Sequence, residues 1–199
     1  MVPADTLFYE VDIGESPVLG QRDAPVTIVG FFDFQCQHGV ADYKRISGLV
    51  RESRGICFVM KHYPLPQHRY ASFAHAAAEL AKMEKGDESF WEMTDIVFAN
   101  NMRLQVSDLR QYAAKLGLNL QQFDDVMADQ GKIDALLAAD KAEGAKCKIT
   151  CTPTVLINGL KLQDRSPEGY KKRIDEILSK LATAHPGGQA SADNKAGPS

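Results

Sequence analysis

No run of about 18 consecutive apolar residues occurs in this sequence, which excludes a helix that crosses a membrane. Charge of one sign is also missing. Acids and bases are interspersed and the net charge is −3, so neither nucleic acid nor an anionic membrane surface is expected as a partner. The N-terminus, Met1-Val2-Pro3-Ala4-Asp5, lacks the charged-then-apolar pattern of a signal peptide, leaving a cytosolic protein or a chain that begins after a removed leader. Internal repeats are absent. Cysteine is scarce: Cys36, Cys57, Cys147 and Cys151 are too few for a disulfide framework in 199 residues. The most telling absence is one sulfur. An apolar, β-rich run, Val26–Phe32, leads to Cys36, and helical periodicity starts just after it. In Cys36-Gln37-His38-Gly39 a glycine stands where a redox Cys-x-x-Cys motif has its second cysteine.

What is present suffices for one domain with an insertion, since 44% apolar residues can fill a proper core. Residues 6–13 alternate like a strand, and Gly14–Pro25 is a turn-rich connection. Val26–Phe32 is too continuously apolar for one-face burial and is expected as a buried central strand. Apolar positions from Val40 to Arg51 predict a helix, and Ile56–Lys61 a second short strand. The two prolines of His62-Tyr63-Pro64-Leu65-Pro66 keep that segment extended. Some eighty residues of helical periodicity follow, over Tyr70–Lys85, Glu88–Asn100, Asp108–Leu116 with Ser107 as N-cap, Leu120–Ala128 and Ile133–Ala145. Asn158-Gly159 predicts a tight hairpin between Pro153 and Leu162. Ser166-Pro167-Glu168 opens a last helix running to about Thr183. Residues 185–199 have the composition of a disordered tail.

This layout, βαβ, then helices, then ββα, resembles the DsbA-type thiol:disulfide oxidoreductases. The resemblance is carried by Asp23-Ala24-Pro25-Val26-Thr27-Ile28-Val29, Phe32-Asp33-Phe34-Gln35-Cys36, His62-Tyr63-Pro64-Leu65-Pro66, Phe90-Trp91-Glu92-Met93, Tyr112-Ala113 with Leu116-Gly117-Leu118, and Thr152–Gly159. It implies an α/β thioredoxin-like fold, a mixed central sheet flanked by helices, with an inserted all-helical subdomain. The expected division is 1–66 and 146–184 for the thioredoxin-like domain and 67–145 for the insert. It further implies a periplasmic or otherwise extracytoplasmic setting, on the premise that a leader precedes the sequence given. Implied partners are thiol- or disulfide-containing protein substrates, with glutathione or a membrane redox protein as possible exchange partners. No cofactor is implied.

Cys36 is the expected nucleophile, because unpaired N–H groups and the positive end of a helix dipole favour a thiolate there. The alternative is an ordinary buried cysteine. His38 matches a residue common inside the DsbA-type motif and is expected to tune Cys36 rather than act as a base; a plain exposed histidine is its alternative. Thr152-Pro153 matches the cis-proline loop that faces the active-site cysteine, and with Gln37 is expected to hold a substrate strand. Cys147 and Cys151, four apart, would share a helix face. They are open to three readings: a disulfide, Cys151 as a stand-in resolving thiol, or two unconnected thiols. Cys57 is expected as inert core. Cys36, His38, Cys147 and Cys151 are ligand types for zinc or copper, but their spacing fits no standard motif and no metal is expected. Phe90, Trp91, Met93, Ile96 and Phe98 are expected as the core of the helical insert, and His68 and His75 as surface residues. Without a second motif cysteine the protein is expected to isomerise or reduce disulfides through one thiol. A peptide-binding or chaperone-like module that has lost turnover is the alternative.

Overall fold

The computed structural model describes residues 8–184. In chain order its elements are β1 (Val18–Leu19), β2 (Val26–Phe32), α1 (Gln37–Glu52), β3 (Ile56–His62), α2 (Ala71–Lys85) and α3 (Asp87–Ala99). There follow α4 (Val106–Lys115), α5 (Leu120–Met127), α6 (Gln130–Lys146), β4 (Thr154–Ile157), β5 (Leu160–Lys161) and α7 (Pro167–Ala184). One mixed sheet runs β1-β3-β2-β4-β5. Strands β2 and β3 are parallel, in register from Val26↔Ile56 to Phe32↔His62, and β4 lies antiparallel to β2. With neighbours on both edges and helices above and below, β3 is buried along its whole length, which is why its sequence does not alternate. The expected thioredoxin-like architecture is therefore present, with α2–α6 between β3 and β4.

Three local expectations are corrected. The segment expected as a strand over 6–13 forms none in its described part, 8–13, and the edge strand lies at Val18–Leu19, which pairs with Val59 and Phe58. Of the 6–13 segment, the described part makes only a bridge from Phe8 to Leu160 and a Tyr9 N–H bond to the Gly159 carbonyl, because β5 offers two residues to pair with. Helix α4 starts at Val106 after an extended Gln105, so Ser107 lies inside the first turn instead of capping it. The aromatic group on α3 is a seam, not a separate core: Trp91 packs on Phe58 of β3 and Phe98 stacks on Tyr43 of α1, with ring centroids 5.4 and 4.4 Å apart. One contiguous apolar cluster thus runs from the sheet through α1 and α3 into α4–α6. The tail expected over 185–199 lies outside the described residues.

The hairpin forms as its dipeptide demands. Asn158 (φ +46°) and Gly159 (φ +79°) are both left-handed. The Asn158 amide accepts from the Thr27 N–H at 2.7 Å and donates to the Pro25 carbonyl at 2.9 Å, stapling the turn to the start of β2. Ser166 Oγ accepts from the Gly169 N–H at 3.1 Å, with Pro167 as the first residue of α7.

Candidate functional site

Strand β2 ends at Phe32, and four residues carry the chain to the start of α1. Their conformation is set by Asp33, whose fully buried carboxylate takes the Gln35 N–H (2.8 Å), the Leu65 N–H (2.7 Å) and His68 Nδ1 (2.7 Å). The Asp33 carbonyl accepts from the Cys36 N–H at 3.0 Å. Cys36 is the N-cap of α1 in extended conformation, and no side chain caps the helix. Its sulfur therefore sits at the end where helical N–H groups are unpaired and the dipole favours negative charge.

Opposite this end, the Thr152–Pro153 bond is cis, and the Cys36 thiol donates to the Thr152 carbonyl with Sγ···O 3.3 Å. The structure thus brings Cys36, Thr152 and Pro153 together across 116 residues of sequence. Two arginines hold the arrangement. Arg165 donates to the Pro153 carbonyl (2.8 Å) and to Asp42 of α1 (3.0 Å), while Arg45 donates to the Arg165 carbonyl (2.8 Å). The buried Asp42 also accepts from the Tyr170 hydroxyl at 3.0 Å. Helix α1, which Cys36 caps, and the proline loop are hence clamped through one guanidinium.

Other expected residues are spread more widely. Gln37 and His38 are exposed on the first turn of α1, and the Gln37 amide lies 3.3 Å from Met102 Sδ at the α3–α4 corner. Gly39 is buried, and a Cβ there would lie 3.3 Å from Phe32 Cδ1. All four cysteines are free. Helix α6 ends at Lys146 and Lys148 turns left-handed (φ +51°), so Cys147 and Cys151 do not share a helix face. Cys147 is buried, and that burial, followed by the Glu143 carboxylate, pushes its thiol above the ordinary range. Cys151 is exposed with its sulfur 3.7 Å from Thr154 Oγ1. Cys57 is buried against Thr27. Among the described residues, no group of three or more His, Cys, Asp or Glu side chains is placed to hold a metal ion.

The histidines depart most from expectation. His75 is completely buried, not on the surface, and His68 is half-covered against Asp33. Ala74, Ala76, Ala77 and Ala78 flank His75 on α2 and are themselves buried, and its imidazole is enclosed between the rings of Phe34 and His62. Asp33, Asp42, Glu79 and Arg165 are further site-shaping residues that sequence reasoning passed over. For Asp33 and Glu79 the available signal was a charged residue inside an otherwise apolar stretch; Asp42 and Arg165 lie among polar neighbours and offered none.

A family model described as thioredoxin matches residues 12–176. The chain belongs to the thioredoxin family. Its fold is the DsbA-type variant. Oxidised BdbD of Bacillus subtilis superposes with a TM-score of 0.77 at 20% identity, over 88% of this chain and 99% of that one. Wolbachia pipientis α-DsbA1 gives 0.72 at 17% identity, over 91% and 98%. At higher identity stand two proteins named as Na(+)/H(+) antiporters. NhaA 1 of Salinispora arenicola is 36% identical over 77% of this chain and 23% of its own length; NhaA 3 of Salinispora tropica is 32% identical over 89% and 26%. The chain spans about a quarter of the length of the curated relatives it matches.

Proposed function

We propose that this thioredoxin-fold protein rearranges disulfides in protein substrates through the single thiol of Cys36. The observation that carries the reading is the placement of that sulfur between the open N-terminus of α1 and the carbonyl preceding cis-Pro153, with Gly39 at the fourth motif position. The Cys36 thiolate attacks one sulfur of a substrate disulfide, forming a mixed disulfide and expelling the other substrate sulfur as a thiolate. That thiolate, or another cysteine of the substrate, then attacks the Cys36-bound sulfur and returns Cys36 as thiolate. No electrons are gained or lost overall. A single thiol can complete this exchange, whereas oxidation through a motif disulfide would require a second sulfur where Gly39 has none.

Substrate binding is assigned to Thr152 and Gln37. In the resting thiol form, Cys36 occupies the Thr152 carbonyl. Ionisation removes that donor and frees the carbonyl for an amide of an extended substrate, so nucleophile and binding edge are released together. His38 sits in the first helical turn, exposed, where it can meet charge on an incoming substrate. Glutathione is the small-thiol alternative for resolving the complex. An extracytoplasmic compartment suits the chemistry, since disulfides persist there. Transport is no part of the proposal, as no described helix is long and apolar enough to cross a membrane.

Burial of Cys36 favours a second reading, a peptide-binding module without turnover. Alkylation of each cysteine in native protein, read by mass spectrometry, together with reactivation of a scrambled disulfide protein, separates the two. Turnover predicts Cys36 reacting faster than exposed Cys151 near neutral pH, and loss of reactivation in Cys36→Ser. A Cys36 slower than Cys151, with reactivation unchanged by the substitution, overturns the enzymatic reading.

A further inference from the structure

Beneath the Cys36 loop lies a chain of hydrogen bonds with no role in the exchange described above. The Phe34 N–H, two residues before the nucleophile, donates to His75 Nε2 at 3.2 Å. His75 Nδ1 meets His62 Nδ1 at 2.5 Å, and His62 Nε2 meets Glu79 Oε1 at 2.8 Å. Both imidazoles are buried, and the Phe34 ring stacks on that of His75 with centroids 4.3 Å apart.

The proton positions follow from the two ends. A backbone amide only donates, so His75 Nε2 carries a lone pair. A neutral imidazole has one N–H, which places the His75 proton on Nδ1. His62 Nδ1 must accept it, which puts the His62 proton on Nε2, where the Glu79 carboxylate takes it. Every tautomer is fixed, and the order runs from Phe34 to Glu79. Adding a proton to His75 would remove the acceptor on which the Phe34 amide rests.

We propose that His75 is a positioning residue for Cys36, held by His62 and Glu79 in the one tautomer that accepts from the Phe34 amide. This rests on the reading of Cys36 as the nucleophile. Burial, and next the neighbouring His62, push His75 far towards its neutral form, consistent with the bond pattern. The far end opens on a cavity of about 230 Å³ lined by Lys61, His62, Glu79, Lys82, Asp140 and Glu143. Lys61 Nζ there pairs with Asp140 Oδ1 at 3.1 Å, and Asp140 Oδ2 accepts from the His62 N–H at 2.7 Å. The charged groups facing the histidines are therefore Lys61 from β3, Glu79 and Lys82 from α2, and Asp140 and Glu143 from α6. Asp12 and Glu15 complete the cavity rim from the N-terminal segment. The cavity is where solvent conditions reach the chain of bonds.

The test combines imidazole nitrogen NMR, Phe34 amide exchange and the pH profile of Cys36 alkylation in native, His75→Phe, His75→Gln and Glu79→Ala protein. The native spectrum is expected to show a bare Nε2 on His75 and a bare Nδ1 on His62, and Glu79→Ala to give a tautomer mixture. His75→Phe keeps the stacking and deletes the acceptor. It is expected to speed Phe34 exchange by about tenfold, the equivalent of one net hydrogen bond, and to slow Cys36 alkylation with a changed pH profile. His75→Gln supplies an acceptor and moves both readouts back towards native. A protonated Nε2 on His75, or His75→Phe with native Phe34 exchange and a native Cys36 profile, overturns the proposal. Should His75→Phe fail to fold, the native and Glu79→Ala spectra decide it. A native Cys36 slower than Cys151 would instead sink the nucleophile reading, which the tautomer spectra do not touch.

Discussion

Gly39→Cys supplies the sulfur the motif lacks, and the structure sets its cost. Gly39 is the third residue of α1 with ordinary helical backbone, so no left-handed conformation demands a glycine. Replacing it gains a few tenths to about 1 kcal/mol of helix propensity. Against this, a Cβ would sit 3.3 Å from Phe32 Cδ1 and 3.6 Å from Phe98 Cε1. The Phe32 ring has little freedom to yield, held edge-on by Phe58 and Phe98 at 5.9 and 5.8 Å. Overpacking of this kind costs roughly 1–3 kcal/mol. The net expectation is a loss of about 1 kcal/mol, or ~2–4 °C in melting temperature for a chain of this size. Gly39→Ala shares the Cβ and controls for the strain without the sulfur. On mild oxidation the new thiol is expected to close a disulfide with Cys36, since helix neighbours three apart lie within ~5–6 Å between Cβ atoms and need only a small shift. The variant then oxidises a reduced substrate stoichiometrically, two substrate thiols being converted as the motif disulfide is reduced. Calorimetry and thiol counting check both parts. A Gly39→Ala variant more stable than native, or an oxidised Gly39→Cys variant with every thiol still free, would refute the packing or the proximity reasoning in turn.

Acid should weaken the fold through the buried pair beneath Cys36. Burial and then His62 depress His75, while Glu79 is lowered because the His62 bond and nearby Lys82 and Lys61 outweigh a burial effect that raises it. The unfolded chain thus binds protons that the folded chain refuses, below the ordinary 6.5 for His75 and 4.5 for Glu79. Stability falls with pH by up to about 1.4 kcal/mol per unit per group, and urea unfolding that is flat from neutral to mildly acidic pH would contradict it. Alkali should act oppositely: burial raises the Tyr43 and Tyr170 hydroxyls above 10, so folding opposes their ionisation and stability drops as pH climbs past that value. Arg165→Ala should leave Asp42 and the Pro153 carbonyl short of a donor and slow Cys36 exchange more than it lowers the melting temperature; equal native rates would show the clamp to be idle. Asn158→Ala removes two staple bonds and a residue tolerant of positive φ, at about 2–4 kcal/mol by chemical denaturation.

The fold was legible where one physical cause dominates the sequence. Val26–Phe32 and Ile56–Lys61 are apolar throughout because both faces are covered, and Asn158-Gly159 can hardly be anything but a tight turn. Cys36 and Thr152-Pro153 were legible through the resemblance, which brings together residues that spacing alone does not. The edge strand was not legible, because two residues carry no periodicity and Val18–Leu19 pairs only through the shape of β3. The polar network was hidden for another reason. His75 looks like any polar residue on an alanine-rich helix, and its burial becomes visible only when β3 brings His62 against it. Cys147 and Cys151 misled because the left-handed Lys148 that separates them carries no glycine to announce it.

The brevity of β1 and β5 decides how another polypeptide can engage this sheet. Each outer strand has two residues, and the Phe8–Tyr9 segment already pairs beside β5. A foreign strand, whether a client peptide or a second copy growing towards an aggregate, finds almost no ladder to extend. Away from these edges, the Thr152 carbonyl lies beside the Cys36 thiol, which occupies it in the resting form. Under the proposed function, clients would be filtered by chemistry before shape, an extended segment gaining a lasting hold only if it brings a sulfur with it.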